Sequence, residues 1–157
     1  MTSLIGFSAL CLSAILSFIV LIPNSILQIK IKYFLLILRS STFLVCVSFI
    51  SLIFAYVTSD FSNFNVFENS HSQKPLIYKI TGAWGNHEGS ILLWVCMISL
   101  YGFFYSFFSK SLDDFKVTVL KIQSSLFIIF ALFVIFTSNP FLVNSVIVEE
   151  GLGLNPI

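Results

Sequence analysis

The stretch LIGFSALCLSAILSFIVLI, residues 4–22, runs for nineteen positions without a charged side chain. About 20 apolar residues are what a helix needs to cross ~30 Å of hydrocarbon at a rise of 1.5 Å per residue. Three further runs of similar kind follow at residues 40–57, 89–108 and 119–137. Backbone N–H and C=O groups inside lipid must be satisfied within their own segment, so each run is expected to be a helix. Pro23 should stop the first, and Asn139-Pro140 should follow the fourth. The fold class expected is all-α: a polytopic membrane protein with four transmembrane helices in a single domain.

Composition agrees. Of 157 residues, 57% are hydrophobic, only 10% are charged and 19 are Phe. The mean hydropathy is +1.00. Soluble domains carry about 25% charged residues. A soluble enzyme, a disordered tail and a disulfide-rich secreted module are therefore excluded. The net charge of +1 gives no basis for binding nucleic acid; lipid is the expected surroundings. Cys11, Cys46 and Cys96 each lie inside an apolar run with no C-x-x-C spacing, and are expected to be small buried apolar residues. No zinc spacing, P-loop, dinucleotide fingerprint or nucleophile elbow is present, so neither a metal site nor a catalytic set is expected.

Lys and Arg set the expected orientation. Lys30, Lys32 and Arg39 lie between spans one and two, and Lys110, Lys116 and Lys121 between spans three and four. The segment 58–88 carries only Lys74 and Lys79. Basic residues collect on the cytoplasmic or matrix side. Both termini, the outer segment 58–88 and an outer tail 138–157 should then face the opposite compartment. Met1-Thr2-Ser3 lacks the positive charge of a signal peptide, so span one is expected to be an uncleaved helix.

Small residues mark where helices approach closely in lipid. Ala9, Ser13 and Ser17 recur every four residues in span one. Ser41, Ser48, Ser51 and Ala55 form a looser stripe in span two. Span four, with Leu126, Phe127, Phe130, Leu132, Phe133 and Phe136, is apolar all round and suits broad lipid contact. Phe61, Phe64 and Phe67, interspersed with Asp60, Asn63 and Glu68, suggest a stretch lying on the membrane surface.

The candidate site is Trp84-Gly85-Asn86-His87-Glu88-Gly89-Ser90, at the start of span three. Asn86 is placed to cap the helix. Glu88 falls in the first turn, where the helix dipole favours a carboxylate by about 0.3–1 kcal/mol. Gly85 and Gly89 permit close backbone approach, and Trp84 suits the headgroup level. Helix construction accounts for those residues but not for His87, whose imidazole can ligate or hydrogen-bond. His87, Ile91 and Trp94 should share a face. His71 lies in a polar run and is expected to be solvated.

Asp60-Phe61-Ser62, Asn69-Ser70, Tyr78-Lys79, the W-G-x-H-E-G-S motif of residues 84–90, Leu92-Leu93-Trp94, Ser138-Asn139-Pro140-Phe141 and Leu154-Asn155-Pro156 together resemble the N-terminal part of the CcmF family. This family is the membrane haem lyase component of cytochrome c maturation system I. The resemblance extends over nearly the whole chain and its motif is specific. It implies an N-terminal fragment of a split or truncated CcmF in the bacterial or mitochondrial inner membrane. It also implies haem as the group handled. The implied partners are the remaining CcmF portion, a haem chaperone, other maturation components and apocytochrome c. The family's haem-ligand histidines and tryptophan-rich segment lie downstream of the matched region, so His71 and His87 do not correspond to them. Trp84, His87, Glu88 and Trp94 are implied to be haem-proximal at most, and Gly85, Asn86, Gly89 and Ser90 to be signature and packing positions. The fragment should be inactive alone. Two other classes compete: a proton or solute transporter fragment, for which His87 and Glu88 at a membrane boundary would count, and a structural subunit of a respiratory complex. No ionisable group lies deep in a span, which weighs against transport, and the motif weighs against the last.

Overall fold

The structure, a computed structural model, describes residues 1–22, 30–110, 113–146 and 148–153. Pro23 and Leu154-Asn155-Pro156 lie outside the described residues. Among the described residues six helices follow in order: α1 Thr2–Leu21, α2 Ile31–Val57, α3 Phe64–Asn69, α4 Leu76–Gly82, α5 His87–Phe108 and α6 Asp113–Phe136. Among the described residues the only β pairing is a single antiparallel bridge, Asn63 to Val143. The four long helices, α1, α2, α5 and α6, are each long and apolar enough to cross a membrane. They pack as a ring in the order α1, α2, α5, α6, with α6 closing onto α1. Leu10, Val45, Leu52, Leu92, Val95, Phe127, Ala131 and Val134 fill the centre.

The small-residue stripes form the α1–α2 contact. Ala9, Ser13 and Ser17 are buried on α1, and Ser41, Ser48 and Ala55 on α2. The Ser41 hydroxyl donates to the Ser13 carbonyl at 2.8 Å and shares a 2.7 Å hydrogen bond with the Ser17 hydroxyl. Ser51 donates to the Thr2 carbonyl at 2.7 Å. These bonds tie helix to helix where apolar attraction cannot, since lipid is as apolar as Leu. Span four behaves as its all-apolar character implies: Phe127 is buried, while Leu126, Ile129, Phe133 and Phe136 face outward.

The helices extend beyond the apolar runs. At 27 residues α2 is about 40 Å long, some 10 Å more than the hydrocarbon is thick. Lys32 and Arg39 thus lie on helix rather than in a link. Arg39 stacks its guanidinium 3.6 Å above the Phe107 ring and donates from Nε to the Ser106 hydroxyl at 3.1 Å. Lys121 donates from Nζ to the Ile22 carbonyl at 3.4 Å, and Lys116 to the Ser109 carbonyl at 3.2 Å. Arg39, Lys116 and Lys121 therefore gather at one end of the bundle. Cys46 and Cys96 bring their sulfurs to 3.8 Å across α2 and α5, and all three cysteines are free thiols.

The opposite end is built by chain reversals. Ser59, at φ 53°, closes α2: its N–H donates to the Tyr56 carbonyl at 3.2 Å and the Asp60 N–H to the Ala55 carbonyl at 2.9 Å. This paired arrangement uses up the last helical carbonyls. It turns Asp60 back toward the start of α1, where Thr2 and Ser62 donate hydroxyls to its carboxylate. Burial pushes the Asp60 carboxyl up, but the two hydroxyl donors and the nearby amino terminus outweigh it and hold its pKa below the ordinary 3.8. Asn63 is fully buried, and its amide donates to the Ser3 hydroxyl and the Pro140 carbonyl at 3.0 and 2.9 Å. Phe141 presses its ring into a notch that only a glycine at position 6 leaves open. Phe61 is 7% exposed and belongs to the core rather than to a membrane-surface stripe; Phe64 and Phe67 remain toward the outside as a tilted ring pair 6.4 Å apart. The three-residue spacing did not separate them because only the last two lie on α3.

Candidate functional site

The motif of residues 84–90 begins where α4 ends. The N–H groups of Ala83, Trp84 and Gly85 donate to the carbonyls of Ile80, Thr81 and Gly82, each at 3.2 Å, so the chain tightens into a turn before α5 starts. Asn86 caps α5, its side-chain oxygen accepting the Gly89 N–H at 2.8 Å. This is the cap expected from the sequence, and Glu88 stands in the first turn beside it.

The cap side chain has a second role. Its amide nitrogen donates to the Gly82 carbonyl at 3.0 Å and to the Tyr56 hydroxyl at 2.8 Å. The Tyr56 hydroxyl in turn donates to the Asn65 side-chain oxygen at 2.6 Å. Asn65 returns two donations, to Asn86 Oδ1 and to Glu88 Oε2, both at 3.1 Å. Tyr56 is fully buried and Asn65 nearly so. The network joins the end of α2, the short helix α3 and the start of α5. In a low-dielectric setting such a satisfied network rigidifies what it connects.

The backbone packing is equally tight. A methyl group on Gly89 would meet the Ala83 carbonyl oxygen at 1.8 Å. Ser90 donates to the Trp84 carbonyl at 2.6 Å, and the Trp84 ring lies 6.2 Å from Phe49 of α2 at 37°. His87 is exposed, and its Nδ1 pairs with the Ser138 hydroxyl at 3.1 Å. That contact joins the motif to Ser138-Asn139-Pro140-Phe141, the other stretch singled out in the sequence.

The structure thus brings Asn86, Glu88 and Gly89 together around Asn65 and Tyr56, and pairs Trp84 with Ser90. Gly85 is exposed. Trp94 stands apart, 67% exposed on the outward face of α5, with no hydrogen bond or ring contact to the others among the described residues. Tyr56, Asn63 and Asn65 were missed from the sequence. Their signal was there: polar side chains at the end of an apolar run and among phenylalanines must find partners if buried.

His71 lies at the same end, half-exposed, with Nδ1 3.9 Å from a carboxylate oxygen of Glu150. Among the described residues no group of three or more His, Cys, Asp or Glu side chains is placed to hold a metal. An open groove of about 570 Å³ runs beside the motif, lined by Lys74, Tyr78, Thr81, Gly82, Trp84 and Gly85. It contains no histidine.

Comparison with known proteins adds the following. A cytochrome c-type biogenesis protein CycK from Rhizobium meliloti (strain 1021) is 52% identical over 115 residues, which are 73% of this chain and 17% of the relative. CcmF from Escherichia coli (strain K12), also a cytochrome c-type biogenesis protein, is 41% identical over 114 residues, 70% of this chain and 17% of the relative. The chain is a homologue of CycK and CcmF. A solved structure of the cytochrome c haem lyase CcmF superposes with a TM-score of 0.78, covering 90% of this chain and 25% of that one at 21% identity. That likeness shows the fold. No protein-family profile matches the chain. The chain spans about one sixth of the length of the CycK and CcmF relatives named. Its four apolar helices and this homology make it a multi-pass membrane protein.

Proposed function

We propose that this chain is the membrane-embedded first part of a cytochrome c haem lyase of the CcmF type. Its role is to form the rigid outer platform against which haem and apocytochrome c are brought together. The support is the coincidence of two observations: the homology to cytochrome c-type biogenesis proteins and the hydrogen-bonded lock that the motif builds at one end of the bundle. Segment 58–88 and the described part of the tail, residues 138–146 and 148–153, form this platform and face the periplasm or the intermembrane space, in a bacterial or mitochondrial inner membrane.

Haem is the substrate of the assembled machine and is not ligated by this chain. Trp84, His87, Glu88 and Trp94 are haem-proximal at most. Asn86 and Glu88 hold the α5 start, Gly89 admits the α4–α5 turn, and His87 fixes Ser138. Haem ligands come from the remaining CcmF portion. A haem chaperone delivers the haem, and apocytochrome c receives it.

The test is co-purification of the tagged chain from membranes that hold all maturation components, with an absorption spectrum of the eluate. A CcmF-type partner and a haem Soret band in the eluate are expected. A second measurement addresses His87: His87→Ala in the same cells should lower haem attachment to cytochrome c. Unchanged attachment would remove His87 from haem handling.

A further inference from the structure

The outward face of α5 carries exposed polar-tipped aromatic side chains away from its ends; among the described residues the only other exposed tyrosine of a long helix, Tyr33, stands at the start of α2. His87, Trp94, Tyr101 and Phe108 repeat every seven residues along it. All four are exposed, with Trp94 67%, Tyr101 69% and Phe108 78% accessible. Met97 and Phe104 flank the same line and are also exposed. The outward face of α1 is instead Leu4, Ile5, Leu12, Ile15 and Phe18, none with a polar tip.

Depth makes the α5 stripe unusual. Trp94 lies seven residues, about 10 Å, from one end of α5, and Tyr101 lies seven residues from the other. Aromatic belts sit at the two membrane interfaces. Both residues sit along the helix about 10 Å in from its ends, deeper than the positions such belts take. An indole N–H and a phenol O–H usually find a hydrogen-bond partner when taken from water. Neither has one among the described residues. In hydrocarbon the partner must come from another polypeptide segment, because lipid tails offer none.

We propose that this seam is where a transmembrane helix of the missing CcmF portion docks, and that it accepts hydrogen bonds from Trp94 and Tyr101. The proposal rests on the functional reading above. The occupant follows from length: about five sixths of the relatives' chain lies outside this match, and it must pack against some face of the bundle. The seven-residue spacing, shared by the exposed Phe115, Ile122, Ile129 and Phe136 of α6, fits a helix crossing at about +20°; the two polar tips are what select α5.

The experiment places the photoreactive residue p-benzoylphenylalanine at position 101, and in a second variant at position 15 on α1. Each tagged chain is expressed in cells that make all maturation components, irradiated in intact membranes and analysed by mass spectrometry. The expected result is a peptide adduct from position 101 to a CcmF-type segment outside residues 1–157, at least fivefold more abundant than from position 15. Tyr101→Phe combined with Trp94→Phe should cut recovery of the CcmF partner several-fold while the isolated chain keeps its helical circular dichroism. Adducts at position 101 to lipid, or to a second copy of this chain, overturn the seam. So does a stronger CcmF adduct from position 15, although the functional reading then survives. Absence of any CcmF-type polypeptide from the tagged eluate overturns both.

Discussion

Gly89 has no space for a methyl group, whereas Gly85, four residues earlier, does. The nearest atom to an added Cβ at Gly85 is the Thr81 carbonyl oxygen at 3.4 Å, an ordinary contact; at Gly89 it is the Ala83 carbonyl oxygen at 1.8 Å. Gly89→Ala is therefore expected to cost about 1–3 kcal/mol, because the α4–α5 turn must shift as a whole. Gly85→Ala should stay within about 0.5 kcal/mol of the parent. Thermal unfolding in one detergent separates the two. Tyr56 offers a second residue-scale prediction. Its hydroxyl donates to Asn65 and accepts from Asn86, and Tyr56→Phe leaves the Asn65 oxygen short of a donor in a buried site. The expected loss is about 1–3 kcal/mol by the same measurement. The motif's glycines and cap were legible in the sequence, since cap, first-turn carboxylate and small residues are local signals. Tyr56 was not, because it lies thirty positions before Asn86 and nothing local marks the pair.

At the scale of elements, two joints can be tested. The α1–α2 joint depends on Ser41, which bonds both Ser13 and Ser17. Ser41→Ala should cost about 1 kcal/mol, typical of interhelical hydrogen bonds in membranes, while leaving the helices intact by circular dichroism. The other joint clips the tail to the outer segment. Glu150 accepts the Ser72 hydroxyl and the Ser72 N–H, the latter at 2.8 Å. The Ser72 hydroxyl and backbone bonds, with the Gly151 N–H and the His71 imidazole, hold the exposed Glu150 carboxyl down to about 2 from the ordinary 4.5. A carboxylate whose pKa is depressed by its contacts supports them fully above 4.5 and loses them as pH falls through about 2. The tail around residues 148–153 should therefore stay clipped at pH 5 and release between pH 4.5 and 2. An NMR titration of the Glu150 carboxyl carbon should show the value rise from about 2 toward 4.5 in Ser72→Ala, which removes the hydroxyl donor and keeps the two backbone N–H donors. The long helices were readable because twenty uncharged residues have few alternatives in lipid. The Phe61–Phe64–Phe67 stripe misled because spacing of three has meaning only within one helix, and Phe61 precedes α3.

For the whole molecule, the four long helices alternate in direction, so the start of α1, the outer segment and the tail share one end. The contacts of Thr2 with Asp60, Asn63 with Pro140, and His87 with Ser138 hold them there. Lys110, Lys116 and Lys121 lie at the other end, near Ile22. This shared end makes the orientation an all-or-nothing matter: the three outer pieces cannot be divided between compartments without breaking buried hydrogen bonds. Six of the eight basic residues favour the cytoplasmic or matrix side for the opposite end. A membrane-impermeant maleimide should therefore label Ser72→Cys in intact cells or mitoplasts and leave Lys110→Cys unlabelled until the membrane is opened. The native cysteines give little background, since all three lie within helices that cross the bilayer. Labelling of Lys110→Cys in sealed membranes, with Ser72→Cys protected, would invert the assignment. The proposed platform would then face the cytoplasm or matrix, and the functional reading would fall with it.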